Sequence, residues 1–230
     1  MPRLCQLEDH AVVPITLPDG EPVAGPWRVE PIAEAPRILA QAAGPPAGYP
    51  MVIAVDGRSS SGKTTLAGRL TSGDKLAHVV HTDDIAWHHS IFGWVDLLID
   101  GILGPVRRGK AVSFRPPAWE TRDRRGAIDL PAGISVLVVE GVGTVRRELV
   151  GVVDASIWVQ SDQAVMNQRT SARIAAGEVA LSVHEEWMAE EIPFLAIQRP
   201  WERADLIVAG TPDLPHDPDT EIVVAPPIAW

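Results

Sequence analysis

Short apolar runs alternate with longer stretches whose apolar residues recur at helical spacing. Met51-Val52-Ile53-Ala54-Val55 is continuous and of a length that fits a fully buried strand. Ser135-Val136-Leu137-Val138-Val139, Ala155-Ser156-Ile157-Trp158-Val159 and Leu206-Ile207-Val208-Ala209 read the same way, and His78-Val79-Val80-His81-Thr82 is a more polar version. Between them, Leu66 and Leu70 are spaced for a helix beginning at Thr64. Residues 92–103 place Val95, Leu98, Ile99, Ile102 and Leu103 on one side of a second helix. A short helix is predicted over 144–150. A longer one covers 162–176, with Asp162 at its N-cap and Gly177 just past its end. Residues 183–199 are largely helical, with a break or kink expected near Pro193. Residues 221–225 form a last β segment. Apolar strands alternating with helices predict an α/β fold, a mostly parallel sheet with helices on both faces.

The first fifty residues follow a different pattern. They are rich in proline, and Pro18-Asp19-Gly20 is a turn signal between residues 11–17 and 22–29, so a small hairpin is expected there. Residues 31–43 predict a helix weakened early by Pro36, and Gly44-Pro45-Pro46-Ala47-Gly48 reads as a linker. The division expected is an N-terminal extension over 1–50 and a main domain over 51–230, the extension serving packing or homodimer formation rather than catalysis.

Composition narrows the function. A net charge of −10 on 230 residues gives no basic excess to displace counterions, which argues against a nucleic-acid partner. Cys5 is the only cysteine, so no intrachain disulfide can form and a reducing compartment is expected. No secretory signal pattern and no membrane-length apolar run is evident, so the expectation is a cytoplasmic protein with no membrane partner.

The chemistry starts where the first apolar run ends. Gly57-Arg58-Ser59-Ser60-Ser61-Gly62-Lys63-Thr64 fits G-x-x-x-x-G-K-[ST], with a strand before it and a helix after it. Backbone N–H groups must wrap a phosphate there, so glycines stand at the tight positions and the helix dipole faces the anion. Lys63 would reach the outer phosphates, and the Thr64 hydroxyl would serve Mg²⁺. The nucleotide-binding set is therefore Gly57, Ser59, Ser60, Ser61, Gly62, Lys63, Thr64 and Thr65.

Ligands in such sheets lie beyond the carboxyl ends of the strands. Asp83 and Asp84 end one strand; Asp83 is the candidate base and Asp84 the fallback. Glu140 ends another and, with Thr64 and Asp83, completes the candidate metal side. Arg169 and Arg173, four apart, share a helix face and could close over the phosphates, or simply face solvent. Arg107, Arg108, Lys110 and Arg115 form a basic patch that reads as surface or as a receiver for an acidic substrate. Trp87 and Trp119 are candidates to sit near a flat substrate ring, with Asp84 and Arg115 beside them. His78, His81, His88 and His89 have no zinc spacing and no supporting cysteine.

These residues, in this order, resemble the uridine kinase and phosphoribulokinase branch of the P-loop small-molecule kinases. The likeness runs over about residues 51–210. It rests on Gly57 to Thr65, on Asp83-Asp84-Ile85-Ala86-Trp87, on Val106 to Pro116 and on Val139-Glu140-Gly141-Val142, with Arg169 and Arg173 matching the lid arginines. The resemblance implies a five-stranded parallel core with a lid, ATP and Mg²⁺ as cofactors, and transfer of phosphate to a hydroxyl with Asp83 as base. The acceptor would be a nucleoside or a sugar-like molecule. Two other readings stay open: a nucleoside monophosphate kinase, with the basic patch holding the acceptor phosphate, and a non-catalytic ATP-binding regulator. A GTPase is excluded because Asn167, the only asparagine, is followed by Gln168, so no N-K-x-D motif exists.

Overall fold

A computed structural model describes residues 15–44, 46 and 48–228. In chain order the strands are β1 (Arg28–Pro31), β2 (Met51–Gly57), β3 (Ala77–His81), β4 (Val112–Phe114), β5 (Ile128–Leu130), β6 (Val136–Glu140), β7 (Ala155–Gln160), β8 (Leu206–Ala209) and β9 (Glu221–Ala225). The α-helices are α1 (Ala35–Ala43), α2 (Lys63–Thr71), α3 (Thr82–Ala86), α4 (Val95–Leu98), α5 (Gly104–Arg107), α6 (Pro117–Thr121), α7 (Gln163–Ala175) and α8 (Leu181–Gln198). A π-helical turn, Ile99–Leu103, joins α4 to α5, so the helix expected over 92–103 begins and ends later than its apolar spacing suggests.

The main sheet has the order β1-β9-β8-β7-β2-β6-β3. Its five parallel strands, β8, β7, β2, β6 and β3, are those the apolar runs predict. Two antiparallel strands extend one edge: β9 on β8, then β1 on β9. This corrects the hairpin expected within the first thirty residues. The turn at Asp19-Gly20 forms, with the Glu21 amide donating to the Pro18 carbonyl at 3.2 Å. Residues 28–31, however, find their partner in β9 at the far end of the chain. Residues 11–14 of that hairpin lie outside the described residues. A second small sheet pairs β4 with β5.

Strand alternation builds two cores. Ile53 and Val55 of β2 face α1 and α2, packing with Ile38, Leu39, Leu66 and Ala67. Val52 faces the other way, against Leu98, Ile102, Leu103 and Val106 of the helix on that side. Ala54 packs there too, with Trp158, Leu195 and Trp201. Each fully buried Leu or Ile contributes about 1.5–3 kcal/mol of transfer free energy, so α1, although it precedes residue 51, is part of the same core. Pro193 does not break α8, which runs through it to Gln198 and ends where Arg199 takes a left-handed conformation (φ 46°). The helix expected over 144–150 shrinks to a single 3-10 turn, Arg147–Leu149. Among the described residues no helix is long and apolar enough to cross a membrane.

Register then places the chemistry. Val55 of β2 and His81 of β3 both lie opposite Glu140 of β6. Three carboxyl-end tips are thus level, and the residues just beyond them, Gly57 onward and Asp83, emerge at one end of the sheet. Chain direction diverges from β2, toward β6 and β3 on one side and β7 and β8 on the other, which makes this end the natural crevice.

Candidate active site

The loop after β2 is shaped by its glycines. A Cβ on Gly57 would lie 2.6 Å from Ser61 Oγ and 2.8 Å from the Val159 carbonyl oxygen, so nothing larger fits where the chain passes β7. Gly62 (φ 102°) caps α2 from the left-handed region, and Ser60 (φ 63°) shares that region at a cost of about 1–2 kcal/mol. The Gly57, Ser59 and Ser61 amides donate to Asp56 Oδ1, Glu191 Oε1 and the Arg58 carbonyl at 2.7, 3.0 and 3.1 Å. The first-turn N–H groups of α2 have no partner within the helix and are the donors left for an anion. Loop carbonyls are held outward: Ser161 Oγ donates to the Ser61 oxygen at 2.7 Å, and Arg169 donates to the Ser60 oxygen at 3.1 Å and to the Gly210 oxygen at 3.2 Å. Ser60 Oγ and Thr170 Oγ1 are 2.8 Å apart. Lys63 is buried, its Nζ donating to the Arg58 carbonyl at 2.8 Å.

A cavity of about 1050 Å³ opens over this loop. Of the residues expected at the site, it is lined by Ser59, Ser60, Gly62, Lys63, Thr64, Thr65, Asp83, Glu140, Arg169 and Arg173. Gly57 and Ser61 are buried behind it. Asp83 is exposed at the cavity. Desolvation by the surrounding protein still raises its carboxyl above the usual value, opposed by Lys63 and reinforced by Glu140. Glu140 bonds His81 Nδ1 at 2.7 Å, and this bond, ahead of the loss from burial, raises the imidazole above its usual value. Arg173 reaches Glu178 at 3.4 Å on an exposed face.

Thr64, Asp83 and Glu140 offer hard oxygen donors on one cavity wall with Lys63. Among the described residues no group of three His, Cys, Asp or Glu forms a ready-made cage. Oxygen donors of this kind suit Mg²⁺, which keeps most of its waters and is held by one or two side chains together with phosphate oxygens.

The other four expected residues lie apart from this cavity wall, gathered around a residue that sequence reasoning did not single out. Arg124 stacks 3.7 Å from the Trp119 ring and 5.0 Å from that of Trp87, and donates to Asp84 at 2.6 Å. The Trp119 indole donates to the Asp84 carbonyl at 2.8 Å, and Arg115 donates to the carbonyls of Gly126 and Arg124. Sequence reasoning also missed Trp187, His184 and Gly210 on the cavity wall. It missed Asp56, wholly buried, whose carboxylate accepts from the amides of Gly57, Gly143 and Val145. An acid between an apolar run and a glycine was the available signal for the last.

No family model matches the chain, and no curated protein does. Solved structures do. A proposed fructose transport system kinase from Silicibacter sp. TM1040 superposes with a TM-score of 0.50 at 17% identity, over 70% of this chain and 89% of that one. A proposed uridine kinase from Bacillus stearothermophilus gives 0.42 at 17% identity, over 76% and 98%. TT1252 from Thermus thermophilus gives 0.41 at 16%, over 71% and 90%. The chain therefore shares with the first of these an α/β fold with a mostly parallel central sheet flanked by helices.

Proposed function

We propose that this protein is an ATP-dependent phosphotransferase, cytoplasmic, acting on a hydroxyl of a small molecule, a nucleoside or a sugar-like compound. The observation that carries the reading is the meeting of Lys63, Thr64, Asp83 and Glu140 on one cavity with the phosphate loop. The first-turn amides of α2 and Lys63 would hold the nucleotide's phosphates. Asp83, on the cavity wall with Lys63, would accept the proton of the attacking hydroxyl. Arg169, already bridging the loop to the end of β8, and Arg173 would stabilise charge on the transferring group. A bound Mg²⁺ would supply charge neutralisation on the phosphate oxygens, with Thr64 and the carboxylates of Asp83 and Glu140 on its side.

The place of the basic patch supports an acceptor without a phosphate of its own: none of Arg107, Arg108, Lys110 and Arg115 lines the cavity. Arg107 spends its donors on the Pro50 and Val152 carbonyls and on Asp154, and Arg115 on two carbonyls. The test is a panel of nucleosides, nucleoside monophosphates and sugars incubated with ATP and the protein. The reading requires one class of hydroxyl acceptor to gain a phosphate, and requires Asp83→Ala to abolish that gain while ATP still binds. Transfer only to monophosphates would reassign the acceptor, and ATP binding with no transfer to any acceptor would favour a regulatory protein.

A further inference from the structure

The segment before β1 reaches the phosphate loop from behind. Residues 15–27 cross the sheet end at β7, where the Ala24 amide donates to Gln160 Oε1 at 2.9 Å and the Gln163 amide donates to the Thr16 carbonyl at 2.8 Å. This path carries Glu21 into the interior, where it is 7% exposed. One carboxylate oxygen accepts from Trp158 Nε1 at 2.7 Å and Gln160 Nε2 at 3.2 Å. The other accepts from Arg58 Nε at 2.8 Å, in the loop itself. The Arg58 guanidinium also lies over the Trp201 ring, 5.5 Å from its centroid.

Arg58 is not a bystander in the loop. Its carbonyl accepts from Lys63 Nζ at 2.8 Å and from the Ser61 amide at 3.1 Å. Anchoring the Arg58 side chain therefore fixes the backbone oxygen that seats the phosphate-binding lysine. The next residue is anchored in a similar way. Glu191 of α8, 1% exposed, accepts from the Ser59 amide at 3.0 Å and from the Ser59 hydroxyl, and also from the Trp187 indole. The loop holds Ser60 in the left-handed region, and rigid support on both sides of it is what preorganisation needs.

We infer that Glu21 is a positioning residue of the nucleotide site: the N-terminal segment sets the phosphate loop through the Glu21–Arg58 ion pair. The inference rests on the nucleotide-binding reading above, and gives the first fifty residues a role in it. Neither Glu21 nor its segment touches the cavity, so the effect passes through Arg58.

The experiment uses the full chain and two substitutions at the two oxygens of Glu21. Glu21→Gln removes the charge that pairs with Arg58 and leaves one oxygen for the three donors of Arg58, Trp158 and Gln160. Trp158→Phe removes a donor from the other oxygen and leaves Arg58 paired. Amide hydrogen exchange over peptides spanning 56–62 reads loop order without any ligand, and titration with ATP and magnesium reads its consequence. Glu21→Gln should speed exchange in the loop and weaken ATP about tenfold, the loss of part of one charged hydrogen bond. Trp158→Phe should lower the melting temperature with loop exchange unchanged. Arg58→Gln, which leaves Glu21 its other donors, should repeat the loop effect if Glu21→Gln does not fold. Loop exchange at the wild-type rate in Glu21→Gln, or raised equally by Trp158→Phe, overturns the inference. A wild-type protein that does not bind ATP overturns the nucleotide reading instead, while the exchange comparison still judges Glu21.

Discussion

Asp56→Asn sets two effects against each other, and pH separates them. Asp56 is wholly buried; Oδ1 accepts from the Gly57 amide at 2.7 Å and the Gly143 amide at 3.0 Å, and Oδ2 from the Val145 amide at 2.8 Å. Desolvation raises its carboxyl from 3.8 to about 6, against the pull of those three amides and of Lys63. An asparagine accepts at one atom only, so the Val145 amide would face an NH₂ group, a cost of about 1–3 kcal/mol. The asparagine also removes a buried charge, and a rise from 3.8 to about 6 corresponds to about 3 kcal/mol of penalty on the ionised form. The folded state holds this proton more tightly than the unfolded state does. Wild-type stability therefore falls as pH rises from about 4 to about 6 on this group's account, and is level above. Asparagine has no such dependence. The stability of the wild type minus that of Asp56→Asn should thus be largest near pH 4 and shrink by about 3 kcal/mol by pH 7, where the two proteins come close to equal. Taking the difference cancels the titration of other carboxyls. Urea unfolding of both proteins at about pH 4.5, 5.5 and 7, with m-values checked for equality, measures it. A difference that stays constant or widens with pH would refute the reasoning.

Asp83→Ala should lower turnover by about 10²–10⁴-fold with the ATP dissociation constant little changed, measured by initial rates and calorimetry. Lys63→Met should weaken ATP binding and slow transfer together, because the lysine serves the phosphates in the ground state and during transfer; a variant with wild-type affinity would count against its role. Gly210→Ala should destabilise strongly, since its Cβ would lie 2.1 Å from the Ser61 carbonyl oxygen and 2.2 Å from Ser161 Oγ, whereas Gly73→Ala, with nothing within 4 Å, should be close to neutral in thermal melting.

Much of this was legible because it is local. A buried parallel strand needs an apolar run, so β2, β6, β7 and β8 stand out in the sequence, and a phosphate loop needs small residues at fixed spacing. Asp83 and Glu140 follow from the rule that chemistry sits at strand ends. What was not legible depends on distant partners. β5, Ile128–Leu130, is too short to show alternation and exists because β4 lies beside it. β1 pairs with a strand nearly two hundred residues away, and nothing in its own residues names that partner. Glu21 and Glu191 look like ordinary surface acids; only the crossing of their segments behind the loop buries them against Arg58 and Ser59. Pro193 failed as a helix breaker: α8 runs through it, held on either side by buried Leu195 and by Glu191, which accepts from Ser59 and Trp187. Nothing in the residues around Arg124 marks it, yet it organises Trp87, Trp119 and Asp84.

The most direct test of the central claim is to follow the terminal phosphate of labelled ATP in the presence of an acceptor panel, with wild type and Asp83→Ala side by side. The account expects the label to appear on a hydroxyl of one acceptor class with the wild type and to stay on ATP with the variant. Label that reaches no acceptor, or that transfers equally well without the Asp83 carboxylate, would contradict it.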